Sequence, residues 1–341
     1  MDVRKVQVTG GSSFVISLPK DWIRQQKIEK NDPIGVITLG NGTLLLTPNL
    51  AYDSSIRVKV FFLKDYSDPE MLFRALIGAY IAGFTTIRVA SAGRIPPKVR
   101  QVVRKFTQMT IGQEVAEESD NSIILKDILN PVEMPFETTI RRMYMIVKAM
   151  HEDALYALEQ GRRELAEDVA ARDVDVGRLY WLIHRQSSLV TANFALSAKM
   201  DVDTAKAMMY YQIARILERM GDHAVAISDA VIALIDLHVD HAAVAKVTAV
   251  GEASLDIFNR GMKAIYANSI PEANSVIEAA NALQPEYHTL SATVPNTKIK
   301  EAVAITAVVN SLRRISEYSS DIAEILINQM VNSEEKSRAF G

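Results

Sequence analysis

The residues of this sequence best suited to chemistry are carboxylates spaced four positions apart. Glu218 and Asp222 form one pair, and Glu317 and Asp321 another. On a helix, positions i and i+4 share a face. Helices packed side by side can gather such pairs into an oxygen-rich cluster for a hard or borderline cation such as Fe, Mn, Mg or Zn. His223 follows Asp222 directly and offers an imidazole, although one step along a helix turns it to a different face. The same spacing also serves a solvated face whose carboxylates pair with nearby Arg215 or Arg219. No Glu-x-x-His occurs, so the ferritin-like di-iron pattern is absent.

Other chemistries are excluded by what the sequence lacks. The 341 residues contain no Cys, which removes disulfide frameworks, thiolate zinc fingers, iron–sulfur clusters and a cysteine nucleophile. There is no Gly-x-Ser-x-Gly, no His-Glu-x-x-His and no dinucleotide fingerprint. Thr9-Gly10-Gly11-Ser12 lacks the lysine and the spacing of a P-loop. With no nucleophile or base beside the carboxylates, the expectation is a protein that is not an enzyme.

Charge is divided unevenly. Residues 1–130 hold 17 basic and 13 acidic side chains, whereas residues 131–341 hold 21 and 28. A basic front permits nucleic-acid contact without demanding it. A second basic stretch, Arg94, Lys98, Arg100, Arg104 and Lys105, could extend a DNA footprint or dock onto the acidic back half. The start has no apolar run, and the longest one, Ala224 to Leu237, is broken by Ser228, Asp229 and Asp236. The expected chain is therefore cytoplasmic, with no membrane insertion.

The elements that must position these groups fall into three segments. Residues 1–50 read as β-rich. Val6 and Val8 alternate with polar neighbours, Phe14 to Leu18 is a second strand, Trp22 and Ile23 lie in a short helix, and Gly40-Asn41-Gly42 signals a hairpin. A β-unit this small buries too little to stand alone, which predicts a homodimer through residues 1–48. Residues 51–130 read as a small α/β unit, whose first helix opens at Ser67-Asp68-Pro69. Residues 136–333 read as nearly all helical and duplicated. Repeat 1 spans 136–236 and repeat 2 spans 238–333, each of three antiparallel helices. Trp181, Tyr180 and the methionines at helical spacing read as core, and His184, His238 and His241 show no partner pattern.

Residue by residue, Arg215-Ile-Leu-Glu-Arg-Met-Gly-Asp-His-Ala-Val-Ala-Ile-Ser-Asp229 resembles the signature helix of the PhoU family of phosphate-signalling regulators. Arg314-Ile-Ser-Glu-Tyr-Ser-Ser-Asp-Ile-Ala-Glu324 is similar to the matching helix of that family's second repeat, and Asp173-Val-Asp-Val-Gly-Arg-Leu-Tyr-Trp-Leu-Ile183 to its second helix. The resemblance implies tandem three-helix bundles with multinuclear iron or zinc clusters held by Glu/Asp-x-x-x-Asp motifs. It also implies a link to a phosphate ABC transporter ATPase or another regulatory partner. The third-helix motifs survive here as Glu218/Asp222 and Glu317/Asp321. The second-helix motifs are broken, because Asp173 meets Gly177 and Glu278 meets Ala282. Each loss removes an anionic ligand, so weak or partial occupancy by Fe, Zn or another divalent cation is expected.

The front resembles the AbrB swapped-hairpin domain, in the version fused to PhoU repeats in archaeal proteins. The likeness rests on Lys5 through Trp22, Asn31-Asp32 and the Gly40-Asn41-Gly42 hairpin. It implies an interlaced homodimer that binds DNA through basic residues, here Arg4, Lys5, Lys20 and Arg24. Their interleaving with Ser and Thr suits phosphate contact rather than base reading. The expected protein is thus multidomain: an AbrB-like dimer that contacts DNA, a small α/β connector, and PhoU-like bundles that respond to metal, phosphate status or a partner. The alternative is a dimeric adaptor that grips a protein partner and leaves DNA alone.

Overall fold

The computed structural model describes residues 2–38, 42–48, 57–66, 68–235, 237, 241–293 and 299–339. Gly40 and Asn41 of the expected hairpin turn, Ile56, Ser67, Asp236 and His238 lie outside the described residues. The chain divides into two compact units, Met1–Asp53 and Ser54–Gly341.

In the first unit, β1 (Gln7–Thr9) and β2 (Ser13–Val15) form an antiparallel hairpin in which Val8 faces Phe14. Gly10 and Gly11 take φ of +62° and +89° in its turn, which a side chain would resist. Helix α1 spans Lys20–Gln25, and β3 (Gly35–Thr38) pairs antiparallel with β4 (Leu44–Thr47). None of this unit's described residues is buried. Val6, Val8, Phe14, Ile16, Val36 and Leu44 are all more than half exposed. The strands form as the alternation predicts, but these apolar side chains remain exposed.

The second unit begins with a two-layer α/β segment. Its elements are β5 (Val58–Phe62), α2 (Pro69–Ile81), β6 (Thr86–Ala90), α3 (Pro97–Met109), β7 (Gln113–Glu118) and β8 (Ser122–Asp127). Asp68 caps α2, accepting from the Glu70 amide at 3.2 Å ahead of Pro69, as the sequence signal requires. The strand order is β5-β6-β8-β7, with β5 and β6 parallel and the other pairs antiparallel. One sheet face, with Phe61, Ile87, Val89, Ile123 and Leu125, packs on Leu72, Leu76, Tyr80 and Phe106 of the two helices. The other face carries Val58, Val60 and Phe62, all exposed.

The rest is helical: α4 (Phe136–Gln160), α5 (Arg163–Ala192), a short α6 (Phe194–Met200), α7 (Thr204–Ile235), α8 (His241–Ala267), α9 (Ile270–Thr293) and α10 (Ile299–Ala339). Helices α4, α5 and α7 make the first three-helix bundle, and α8, α9 and α10 the second. The bundles join where α7 meets α10 and α4 meets α8. At Gly251 on α8 a Cβ would stand 2.6 Å from Leu155 of α4, so glycine permits that close approach. Helix α6 was not expected from the sequence; Asn193 starts it by accepting from the Ala195 and Leu196 amides. No described helix is long and apolar enough to cross a membrane.

Helix α5 also holds the α/β layer. Trp181, Arg185 and Leu189 follow one another at four-residue intervals on the side turned to α2 and α3. Trp181 packs on Phe73, Leu189 fills the space at Gly83, and Arg185 donates to the carbonyls of Tyr80 and Phe84 and to the Asp127 carboxylate.

Candidate functional site

Glu218 and Asp222 lie on the side of α7 turned toward α5. Asp173 of α5 reaches the same spot, since a Cβ at Gly221 would stand 3.3 Å from its Oδ1. Burial pushes all three carboxyls above the usual carboxylate range, and the Asp222 charge pushes Asp173 and Glu218 further. Arg219 and Arg215 pull Glu218 back. About two and three turns along α5, Tyr180 stacks on Tyr211 of α7 and His184 lies tilted against it, with ring centroids 6.2 and 4.5 Å from it. Arg215 bonds Tyr211 and is attracted to Glu218. Between Asp173 and Tyr180, a Cβ on Gly177 would meet nothing within 4 Å. The missing second-helix carboxylate is thus open space.

The second repeat is arranged differently. Glu317 is bound by Arg313 at 3.4 Å and Arg314 at 2.8 Å. Asp321 is pushed up by burial and then by Glu324 and Glu317, and is pulled back by Arg314 and Arg219. Glu278 accepts from Asn274 at 2.9 Å. His223 turns away from the Asp173 side and toward α10, with Nδ1 3.2 Å from Ser311 Oγ and its ring 5.8 Å from Tyr318. Burial and then Arg314 hold its imidazole below the usual range.

The two third-helix pairs stand on different helices but share a neighbour, since His223 is influenced by both Asp222 and Glu317. Arg219 likewise interacts with Glu218 and Asp222 on one side and Asp321 on the other. Among the described residues, no three Asp, Glu or His side chains could hold a metal ion together. A multinuclear cluster needs anionic ligands brought together without competing cations, and here Arg215, Arg219, Arg313 and Arg314 stand beside the carboxylates.

At the front, Arg4, Lys5, Lys20 and Arg24 are all exposed. Arg4 pairs with Asp2 at 3.2 Å and Arg24 with Asp21 at 3.9 Å, while Lys5 and Lys20 have no ion pair among the described residues. Exposed pairs of this kind are weak and yield readily to a phosphate. The second basic stretch is largely used within the α/β layer: Arg94 pairs with Asp120, Arg100 with Glu118 and Lys105 with Glu70.

Two features escaped sequence reasoning. His151 of α4 is fully buried, with Nε2 2.7 Å from the Met220 carbonyl and Nδ1 without a hydrogen-bond partner. A groove of about 350 Å³ runs between α4 and α8, lined by Glu152, Tyr156, Glu159, Glu252 and Asp256. Its signal was present as carboxylates and a tyrosine at three- and four-residue spacing on one helix.

Comparison with known proteins follows the same division. Residues 140–231 match the PhoU domain model, and residues 7–51 match the model for antidote-toxin recognition MazE, bacterial antitoxin. The fold is similar to the crystal structure of PhoU from Pseudomonas aeruginosa, at 20% identity and a TM-score of 0.53, covering 58% of this chain and 96% of that one. It is also similar to the phosphate transport system regulatory protein PhoU from Streptococcus pneumoniae, at 21% identity and a TM-score of 0.51, covering 58% of this chain and 94% of that one. No curated protein is matched.

Proposed function

We propose that this chain, which combines a PhoU domain with a MazE/AbrB-like domain at its front, is a non-catalytic regulator of phosphate signalling that works as a dimer on DNA. The observation that carries the reading is the coreless first unit. Two hairpins align six strongly exposed apolar side chains and bury none of them. Such a unit becomes stable when a second copy covers that surface. The dimer then presents Arg4, Lys5, Lys20 and Arg24 twice, as a basic surface suited to phosphate contact.

The test is binding of the full chain to duplex DNA over a salt series, with light scattering alongside. A dimer that neutralises on the order of four to eight phosphates gives a log–log salt slope of about −4 to −7. Lys5→Glu with Arg24→Glu should abolish binding, and Phe14→Glu should weaken the dimer. Retained DNA binding by the charge-reversed variant would remove these residues from the interface. Failure of the wild type to bind at low salt would leave the adaptor reading. The acidic groove between α4 and α8 favours that second reading for the bundles, because it suits a basic segment of a protein partner, with Tyr156 available to an arginine.

The bundles in this proposal act without a resident metal cluster. Thermal unfolding after chelation, and again with added Fe, Zn, Mn or Mg, should shift by no more than about 1 °C, because a ligand stabilises only by binding the folded state. A stoichiometric cluster that survives chelation, or a large shift that Asp222→Ala abolishes, would overturn this and restore the metal reading.

A further inference from the structure

We infer that β5 is a second contact between two copies of this chain, pairing antiparallel with the partner's β5 so that two four-stranded sheets become one continuous sheet. The inference rests on the dimeric reading of the first unit.

Strand β5 is an edge strand, with β6 on one side and no described strand on the other. The Arg57 carbonyl accepts from the Thr85 and Thr86 amides on the β6 side. Backbone groups alternate sides along a strand. Lys59 and Phe61 therefore share the β6 side with Arg57, and the N–H and C=O groups of Val58, Val60 and Phe62 point to the open edge. Proteins usually guard such an edge with inward charges, proline or a bulge. Lys59, on the packed face, is the strand's one charge, and the three residues that own the free backbone groups are all apolar, at 52%, 38% and 52% exposure. They also lie on the uncovered face of the sheet. An edge with unpaired backbone and an apolar face has the features of one built to be paired.

The sequence of β5 matches a second copy of itself. A two-fold axis through Val60 sets Val60 opposite the partner's Val60, and Val58 opposite the partner's Phe62. All three are then hydrogen-bonded pairs, because each of these residues aims its backbone outward. On the packed face, Lys59 falls opposite the partner's Phe61 rather than the partner's Lys59. No like charges meet, and a lysine over Phe61 already exists within the chain at 5.6 Å. The contact is isologous and closes at two copies. The strand begins at Val58, only five residues after the first unit ends at Asp53. Two copies joined by their first units therefore hold their β5 strands at high effective concentration, on the order of millimolar for short linkers.

The test uses the absence of cysteine. Val60→Cys in the full chain places one thiol on the proposed axis, where opposed Cα atoms of a hydrogen-bonded pair stand about 5.5 Å apart and a disulfide can form. Mild oxidation should convert most of the protein to a covalent dimer. Met71→Cys, exposed on α2, should stay uncrosslinked. In the wild type the Val58, Val60 and Phe62 amides should exchange slowly with solvent, and Phe62→Lys should speed them at least about tenfold. If light scattering shows a dimer but Val60→Cys does not crosslink, the inference falls and the dimeric reading stands. That holds even where the amides are slow, since another segment then covers the edge. Equal crosslinking at Met71 means random collision and also overturns it. A monomeric wild type overturns the dimeric reading itself.

Discussion

Replacing Arg185 by methionine should destabilise the second unit by about 3–5 kcal/mol. The side chain is 3% exposed and its partner Asp127 is 6% exposed. The guanidinium donates to that carboxylate and to the carbonyls of Tyr80 and Phe84, and it sits 4.9 Å from the centre of the Tyr80 ring. Burial pushes the Asp127 carboxyl up and Arg185 pulls it back down. Methionine fills much of the same volume, so the loss is electrostatic rather than a cavity. The buried Asp127 charge and the Phe84 carbonyl lose their guanidinium donor, while the Tyr80 carbonyl keeps the Gly83 amide at 3.0 Å. The double variant Arg185→Met, Asp127→Asn removes the orphaned charge and should recover a sizeable part of the loss. Urea unfolding of the wild type, both single variants and the double variant forms the cycle that measures the coupling. A single-variant loss under about 1 kcal/mol would show that water reaches the pair and that it behaves as a surface ion pair.

That Arg185 was invisible in the sequence follows from how charges are read there. Local signals were legible because their physics is local. Asp68 before Pro69 gave the start of α2, the alternation at Val6 and Val8 gave β1, and the three-and-four periodicity gave the bundles. Arg185 lies on the same four-residue stripe as Trp181 and Leu189, but its carboxylate is 58 positions away on β8. Sequence alone gives no reason to join the two. The carboxylate site was half legible for a similar reason. The i, i+4 rule put Glu218 with Asp222 and Glu317 with Asp321, and the structure keeps both pairs. Whether the two pairs face each other depends on how α7 and α10 are rotated about their axes. That rotation puts His223, not Asp222, toward α10, and leaves Arg219 among the carboxylates. The short α6 is hidden in the sequence because Asn193 both ends α5 and caps α6, and one asparagine after a helical run reads equally as a stop.

Acid should weaken the helical bundle over a defined range, with His151 as the main cause. Its imidazole is fully buried in α4, and burial pulls its pKa from the ordinary 6.5 down to about 4, with nearby His223 adding to the effect. Nε2 faces the Met220 carbonyl at 2.7 Å, so that nitrogen carries the proton and Nδ1 is bare. Nδ1 has no hydrogen-bond partner, so a second proton there would put a cation in the core with nothing to receive it. The sign follows from proton counts. Above pH 6.5 the imidazole is neutral in the folded and unfolded chains alike, and the residue adds no pH dependence. Between pH 6.5 and about 4 the unfolded chain takes up a proton that the folded chain refuses, so stability falls as pH falls. Below about 4 the folded state binds it too and the decline stops. The gap amounts to about 3 kcal/mol. Burial pulls His184 and His223 the same way, so part of the measured slope is theirs, while the raised carboxyls of Asp127, Asp173, Glu218, Asp222 and Asp321 take up protons first in the folded state and oppose it. His151→Gln keeps a donor for the Met220 carbonyl and has no proton to gain. Its stability at pH 7 will differ from that of the wild type, so the readout is the slope: urea midpoints between pH 7 and 4 should flatten by most of that amount. An unchanged slope would assign the acid sensitivity to the two half-buried histidines and show that His151 does not govern it.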